Sequence, residues 1–364
     1  MLFRTEKGIF QDALEKVTRV CKRSTDTNGV LIEVIDGTVT LTCTDLITTI
    51  KSSFKCMDFE NGSVLLEGRF LISYIKALSK NEILFQLKDN KVLISAGKSK
   101  SNIISLNISK FPKLKIDKKG VKSNLVSSEF KKGLREVLFA SAKDETRPIL
   151  TGILFEIKNS FLTLVGLDGY RLSSTKIPID TENDVSAVVP GQAALEIKHL
   201  LENSENNIHL TISENNIIFE NDSVLLESNL LEGSYIKWES IVPDTSSTVC
   251  TIKRAELLNT LNRVEPILKG EQKLVKLSLL DTKLSIEANS EIGKINDELN
   301  LEEFQGNPID IAFNEKYLQE LLVALEDEES IVFNFTTPVS PVVVSKKNQD
   351  SYTGLILPVR LLNN

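Results

Sequence analysis

A stretch of about 122 residues is written three times along this chain, and no other feature limits its fold so tightly. The segment 31-LIEVIDGTVTLTCTDL returns as 154-LFEIKNSFLTLVGLDGYRL and again as 276-KLSLLDTKLSIEANSE. Each is an alternating apolar pattern broken by a turn, at Asp36-Gly37, Asn159-Ser160 and Asp281-Thr282, offset by 123 and 122 residues. A unit this long can bury a core of its own, so it predicts a domain and not one coil of a solenoid. Three such domains in tandem predict a curved, pseudo-symmetric body suited to cradling something long.

Each copy opens with an amphipathic helix. In 6-EKGIFQDALEKVTRVCKR the apolar positions Ile9, Phe10, Ala13, Leu14, Val17 and Val20 recur at spacings of three and four, one buried stripe. Its counterparts are 128-SEFKKGLREVLFASAK and 253-KRAELLNTLNRVEPIL, the latter ended or kinked by Pro266. Second helices follow at 69-RFLISYIKALSK, 191-GQAALEIKHLLEN and 314-NEKYLQELLVALEDEE, and second hairpins at 83–95, 208–220 and 331–345. Alternation with Asp-Asn, Asn-Asn and Thr-Pro turns predicts strands exposed on one face. Each copy is therefore an α+β unit of six to eight antiparallel strands and two helices. Charged, Gly- and Pro-containing stretches at 108–123 and 232–248 read as linkers, which predicts domains at 1–120, 121–245 and 246–364.

Composition removes several classes of function. No apolar run approaches the roughly 20 residues that cross a bilayer, and the segment Met1–Lys7 lacks the apolar core of a signal peptide. A cytoplasmic location is expected. Cys21, Cys43, Cys56 and Cys250 lie far apart without CxxC spacing, so thiols are expected and neither zinc nor disulfides. The net charge of −7 argues against a protein coated in nucleic acid, though not against positive charge confined to one face.

The search for catalytic chemistry finds little. His199 and His209 have no Ser, Cys or carboxylate at a suggestive spacing, and no glycine-rich phosphate loop occurs. The run Glu326–Glu329 reads as a solvated helix end. No cofactor and no metal are expected, and the chain reads as a binder. Basic residues on or beside the helices supply a modest signal: Arg19, Lys22 and Arg23 on the first, Arg69, Lys76 and Lys80 on the second, and Lys131, Lys132, Arg135 and Lys143 in the central copy. Lys253, Arg254, Arg263 and Lys269 complete the set. Phosphate contacts made by equivalent helices are independent of sequence and sensitive to salt; scattered solvent-facing charge is the plainer reading. Asp168-Gly169 is a tight-turn pair that projects Tyr170 and Arg171 at a strand end. The C-terminal 355-LILPVRLLNN is an edge strand or the lining of an apolar groove.

Together, Thr146-Arg147-Pro148-Ile149-Leu150-Thr151-Gly152, Asp168-Gly169-Tyr170-Arg171-Leu172, Phe313-Asn314 with Tyr317, and Leu357-Pro358-Val359-Arg360-Leu361 resemble the bacterial DNA polymerase III beta subunit, the replication sliding clamp. The resemblance covers the whole chain. It implies a DNA clamp fold in which two chains join head to tail as a homodimer ring around double-stranded DNA, a non-catalytic processivity factor. DNA-facing residues would be Arg23, Arg69, Lys143, Arg147 and Arg263. The dimer contact would join Ile103 and Leu106 to Ile267, Leu268 and Lys273.

The same resemblance implies a groove for apolar peptide motifs of the DNA polymerase III catalytic subunit, the clamp loader complex and repair proteins. Its wall would hold Leu150, Leu167, Gly169, Tyr170, Arg171 and Leu172, then Ile236, Ile241, Val242, Asn314, Tyr317 and Val339, and finally Leu357, Pro358, Val359 and Arg360. Arg171, Arg360 and Asn314 would fix the peptide's polar groups. Leu167, Ile236, Ser240, Gln192 and Ser101 depart from the family pattern, as does the segment 22-KRSTDTNG, which lacks the expected proline-rich turn. Two other readings remain: a peptide-binding scaffold of the same fold that no longer encircles DNA, and an enzyme with a site at Asp168, Tyr170 and Arg171.

Overall fold

The computed structural model describes residues 1–21, 28–144, 146–181, 183–268 and 273–360. Six α-helices are seen among them: α1 (Lys7–Val17), α2 (Gly68–Ala77), α3 (Ser127–Leu138), α4 (Gly191–Leu200), α5 (Arg254–Val264) and α6 (Glu315–Ala324). They fall two to a copy, at the places the periodicity predicts. The buried face of α1 is Phe10, Ala13, Leu14 and Val17; Ile9 is exposed and Val20 sits in the 3-10 turn that follows. Pro266 lies in the 3-10 turn after Val264, where its missing N–H costs no helical bond. None of these helices is long and apolar enough to cross a membrane.

The chain divides into two compact units. The first, Met1–Ser128 with His199–Leu230, contains a five-stranded and an eight-stranded sheet. The second, Glu129–Lys198 with Leu231–Asn364, contains a nine-stranded and a four-stranded sheet. The central copy is shared out: strand Val224–Asn229 pairs with Thr48–Lys55 in the first unit, and Arg171–Pro178 pairs with Gln349–Ile356 in the second. All these ladders are antiparallel. The copies carry nine, eight and nine strands, one more than expected in two of them. Short strands such as Met57–Glu60 and Glu303–Gly306 account for the excess, because four residues give too little alternation to recognise.

Local chemistry explains the repeated hairpins. Asp36 and Gly37 have φ of 47° and 75°, and Asn159 and Ser160 have 52° and 59°, the paired positive values that let a two-residue turn follow the strand twist. The cores are aliphatic with a few aromatic anchors. Phe3 stacks on Phe85 at 4.7 Å and meets Phe10 edge-on at 5.6 Å.

One expectation from composition is overturned. Cys21 and Cys43 form a disulfide with Cα atoms 6.3 Å apart, whereas Cys56 and Cys250 are free thiols. Both half-cystines are buried, and strand Thr38–Thr44 brings Cys43 beneath the end of the first helical segment. Burial pushes the Cys250 thiol up to about 12.

Candidate functional site

The Asp168 turn begins the site. Its carboxylate accepts the backbone N–H of Tyr170 at 2.8 Å and of Arg171 at 3.0 Å, and its other oxygen accepts Arg171 Nε at 3.0 Å. Gly169 has φ 92° and open space where a side chain would stand, so conformation and not crowding demands glycine there. The turn leaves Tyr170 exposed at 61%.

The ladder Arg171↔Ile356 then fixes the C-terminal segment beside this turn. Leu357 N–H donates to Tyr170 O, and Val359 N–H to Ala312 O, both at 2.8 Å. Asn314 caps α6, accepting from Lys316 N at 3.0 Å, which sets Tyr317 on the first turn. The Tyr170 and Tyr317 rings stack with centroids 6.0 Å apart. Burial, and then the Asp168 charge, raises the Tyr317 hydroxyl above its usual range.

Arg171 has a different task from the one expected. It is buried, its guanidinium lies 4.6 Å from the Tyr317 ring centroid and 5.1 Å from that of Phe139, and Nη2 donates to Phe139 O at 2.6 Å. Nη1 donates to Glu320. With Nε, Nη1 and Nη2 all engaged, Arg171 props the tyrosine pair and is not free to grip a partner. Glu320 and Phe139 were not foreseen, since they stand 149 and 32 residues away in sequence.

Beneath the tyrosines lies an apolar shelf. Leu150, Leu167, Leu172, Leu355 and Trp238 form one buried cluster, against which Ile149, Tyr235, Val242 and Leu357 pack. So the structure brings Leu150, Leu167, Leu172, Val242 and Leu357 together, the first three nearly sealed as a floor. Ile236, Ile241 and Val339 are exposed and lie outside that cluster, as do Gly169, Asn314 and the exposed Arg360. Pro358 and Val359 are half-buried. Trp238 and Leu355 were missed; the alternation along 349–356 was the signal for Leu355. Leu361 to Asn364 lie outside the described residues.

Three family profiles of the DNA polymerase III beta subunit match in succession: the N-terminal domain at residues 1–115, the central domain at 124–237 and the C-terminal domain at 239–360. This chain belongs to the DNA polymerase III beta subunit family. Similar proteins include the beta sliding clamps of Bacillus subtilis (strain 168), 27% identical over 99% of this chain and 100% of that one, and of Staphylococcus aureus (strain Mu50 / ATCC 700699), 28% identical over 91% of each. Among solved structures, the DNA polymerase sliding clamp of Bacillus subtilis superposes with a TM-score of 0.94 at 26% identity and full coverage of both chains. A Pseudomonas aeruginosa sliding clamp bound to griselimycin has the same fold, with a TM-score of 0.94 at 22% identity over 99% of this chain and 100% of that one. The protein is a sliding clamp of DNA replication, a processivity factor and not a catalytic subunit.

In this beta subunit the residues expected to face DNA are partly occupied by the chain itself. Arg69 at the start of α2 donates to Cys21 O at 3.0 Å. Arg263 on α5 is bound to Asp297 at 2.6 Å. Lys143 is 74% exposed with Glu320 at 3.8 Å, and Arg147 is exposed before the turn Pro148–Thr151. Arg23, Lys22 and Lys269 lie outside the described residues.

At the expected dimer contact, Ile103 belongs to strand Ser99–Ile104, an edge of the five-stranded sheet, with Leu106 and Ile104 exposed beyond it. Leu268 is buried in the third copy's core and Ile267 packs on it, so these two are less available than their assignment requires. Lys273 is paired with Glu265 at 3.2 Å.

Beside that pair is a cost to stability. Glu315 is fully buried, its backbone N–H donates to Lys273 O at 2.7 Å, and neither side-chain oxygen has a partner among the described residues. Burial, and then the Glu265 charge, raises its acidity constant above the usual carboxylate range. A raised carboxylate binds its proton more tightly folded than unfolded, so stability falls as pH climbs through that window and the loss persists above it. Glu315→Gln is therefore expected to raise stability by about 1–3 kcal/mol at pH 7 and to match the wild type below the usual carboxylate range. Thermal unfolding of both proteins across pH 3.5–8 checks this. Equal midpoints at pH 7 would contradict it.

Proposed function

We propose that two copies of this chain close head to tail into a ring around double-stranded DNA, with domain boundaries near residues 120 and 245. In this reading the shelf beside Tyr170 tethers apolar segments of the polymerase catalytic subunit, the clamp loader and repair proteins, in the cytoplasm. The observation that carries the tether is the ladder Arg171↔Ile356, which gathers Tyr170, Tyr317 and Leu357 over one apolar floor. Each 100 Å² of apolar surface that a partner buries there is worth about 2.5 kcal/mol before entropy is charged against it.

Ring closure is supported by two sheet edges, Ser99–Ile104 and Gly293–Asn300, each with alternate residues exposed. Such edges present unpaired backbone groups ready for strand addition. A ring that joins unlike patches closes after rotation by half a turn. Retention on DNA is then topological, and weak phosphate contacts suffice for sliding.

One set of observations favours a scaffold that does not encircle DNA. Arg69 and Arg263 are held by the chain's own acceptors, and Gln192, at a DNA-facing position in the resemblance, is bonded to Glu196. A native mass measurement decides between them. The ring predicts a particle of twice the 40.6 kDa chain that remains on nicked circular DNA and is lost when the circle is cut. A monomer at micromolar concentration, with no retention at low salt, would favour the scaffold.

A further inference from the structure

The sheet face that floors the shelf continues past residues 235–242 into an open basin of about 690 Å³. That size falls within the roughly 300–1,000 Å³ of ligand sites. Two cross-strand rows build its floor, Glu156–Thr163–Lys176 and Lys158–Phe161–Pro178. Trp238 joins the two places: its ring packs in the shelf's cluster and also walls the basin, next to Glu239. The indole N–H is buried without an acceptor among the described residues, an unmet donor at the basin's base.

The rim is unusual in its charges. Glu156, Lys158, Lys176, Glu239 and Asp350 line one basin, and none has an ion-pair partner among the described residues. Phe161 stands between them, 44% exposed. Three carboxylates against two ammonium groups disfavour a phosphate backbone. Free groups of both signs around an aromatic centre suit a polypeptide segment that carries both.

We propose that this basin is a second docking subsite, occupied by the stretch of a partner that flanks the segment held beside Tyr170. The occupant places an aromatic or aliphatic side chain over Phe161, with a basic and an acidic residue on either side of it. This rests on the reading of the shelf as the partner tether, and the continuity of the two through Trp238 is what makes one chain able to fill both.

The test uses two tryptophan-free peptides, a short one carrying a Leu-Phe anchor and the same peptide extended at either end by Lys-Phe-Glu through a Gly-Ser spacer. Trp238 is the single tryptophan of the chain, so its emission reports directly on the basin while anisotropy gives affinity. One extension is expected to tighten binding about tenfold, as linked subsites do, and to change Trp238 emission beyond the short peptide's effect. Phe161→Ser with Lys176→Glu removes that gain and leaves the short peptide's affinity unchanged, whereas Tyr170→Ala weakens both peptides. The proposal is overturned if neither extension gains more than twofold, or if the gain survives the double variant. If the short peptide does not bind at all, the shelf reading fails on its own. Lys-Phe-Glu alone at millimolar concentration then judges the basin, and unchanged Trp238 emission overturns it as well.

Discussion

Arg171→Ala is expected to destabilise the unit that carries the shelf by about 2–4 kcal/mol and to weaken an apolar partner peptide at least tenfold. The guanidinium is 3% exposed between Asp168 and Glu320, which are 12% and 25% exposed. Removing one member of a buried ion pair typically costs about 3–5 kcal/mol, because the carboxylate left behind stays desolvated. Partial exposure of both partners screens some of that cost, hence the lower range. Loss of stacking on Tyr317 and Phe139 adds about 0.5–1 kcal/mol for each ring. The affinity loss follows from geometry: without the prop, Tyr317 is no longer held parallel to Tyr170. Arg171→Lys should recover little, since an ammonium cannot reproduce the planar fork that reaches Asp168, Glu320 and Phe139 O together. Denaturant midpoints and peptide anisotropy of the two variants measure both effects. An Arg171→Ala protein with wild-type midpoint and wild-type peptide affinity would refute the assignment.

Lys346→Met should have an effect of similar size, and one that a second substitution reverses. The Lys346 ammonium meets Glu136 Oε1 at 2.6 Å, with side chains 3% and 1% exposed. Thr175 Oγ1 donates to the other oxygen at 2.8 Å, and the ammonium lies 5.4 Å from the centroid of the Tyr352 ring. Burial raises the Tyr352 hydroxyl as well. The pair ties α3 to strand Val342–Lys346 across 210 residues of sequence. Lys346→Met strands a buried carboxylate and is expected to cost about 3–5 kcal/mol. Glu136→Leu combined with Lys346→Met should return to within about 1–2 kcal/mol of the wild type, because apolar groups of similar volume need no compensation. A double-mutant cycle reads the coupling directly. Additive losses in the cycle would show that the two side chains do not depend on each other.

What local chemistry controls could be read before any coordinates were known. The three copies, their six helices and the Asp36-Gly37 turn depend on residues a few positions apart, so spacing and φ preference suffice. The motifs around Asp168, Asn314 and Leu357 were also legible, because each is a short run with its own turn or cap. The short edge strands were not, having too few residues to show a period. Nor was the partner of any buried charged group. Arg171 read as a hand extended to a peptide, and it became a brace because Glu320 and Phe139 arrive from remote parts of the chain. The same holds for Cys43 beneath Cys21 and for the unpaired Glu315, whose surroundings are assembled by strands far away in sequence. Sequence by itself settled the repeat, the elements and the family. The tertiary structure alone decided which polar groups are spent inside and which stay available outside, because desolvation depends on neighbours that only folding brings together.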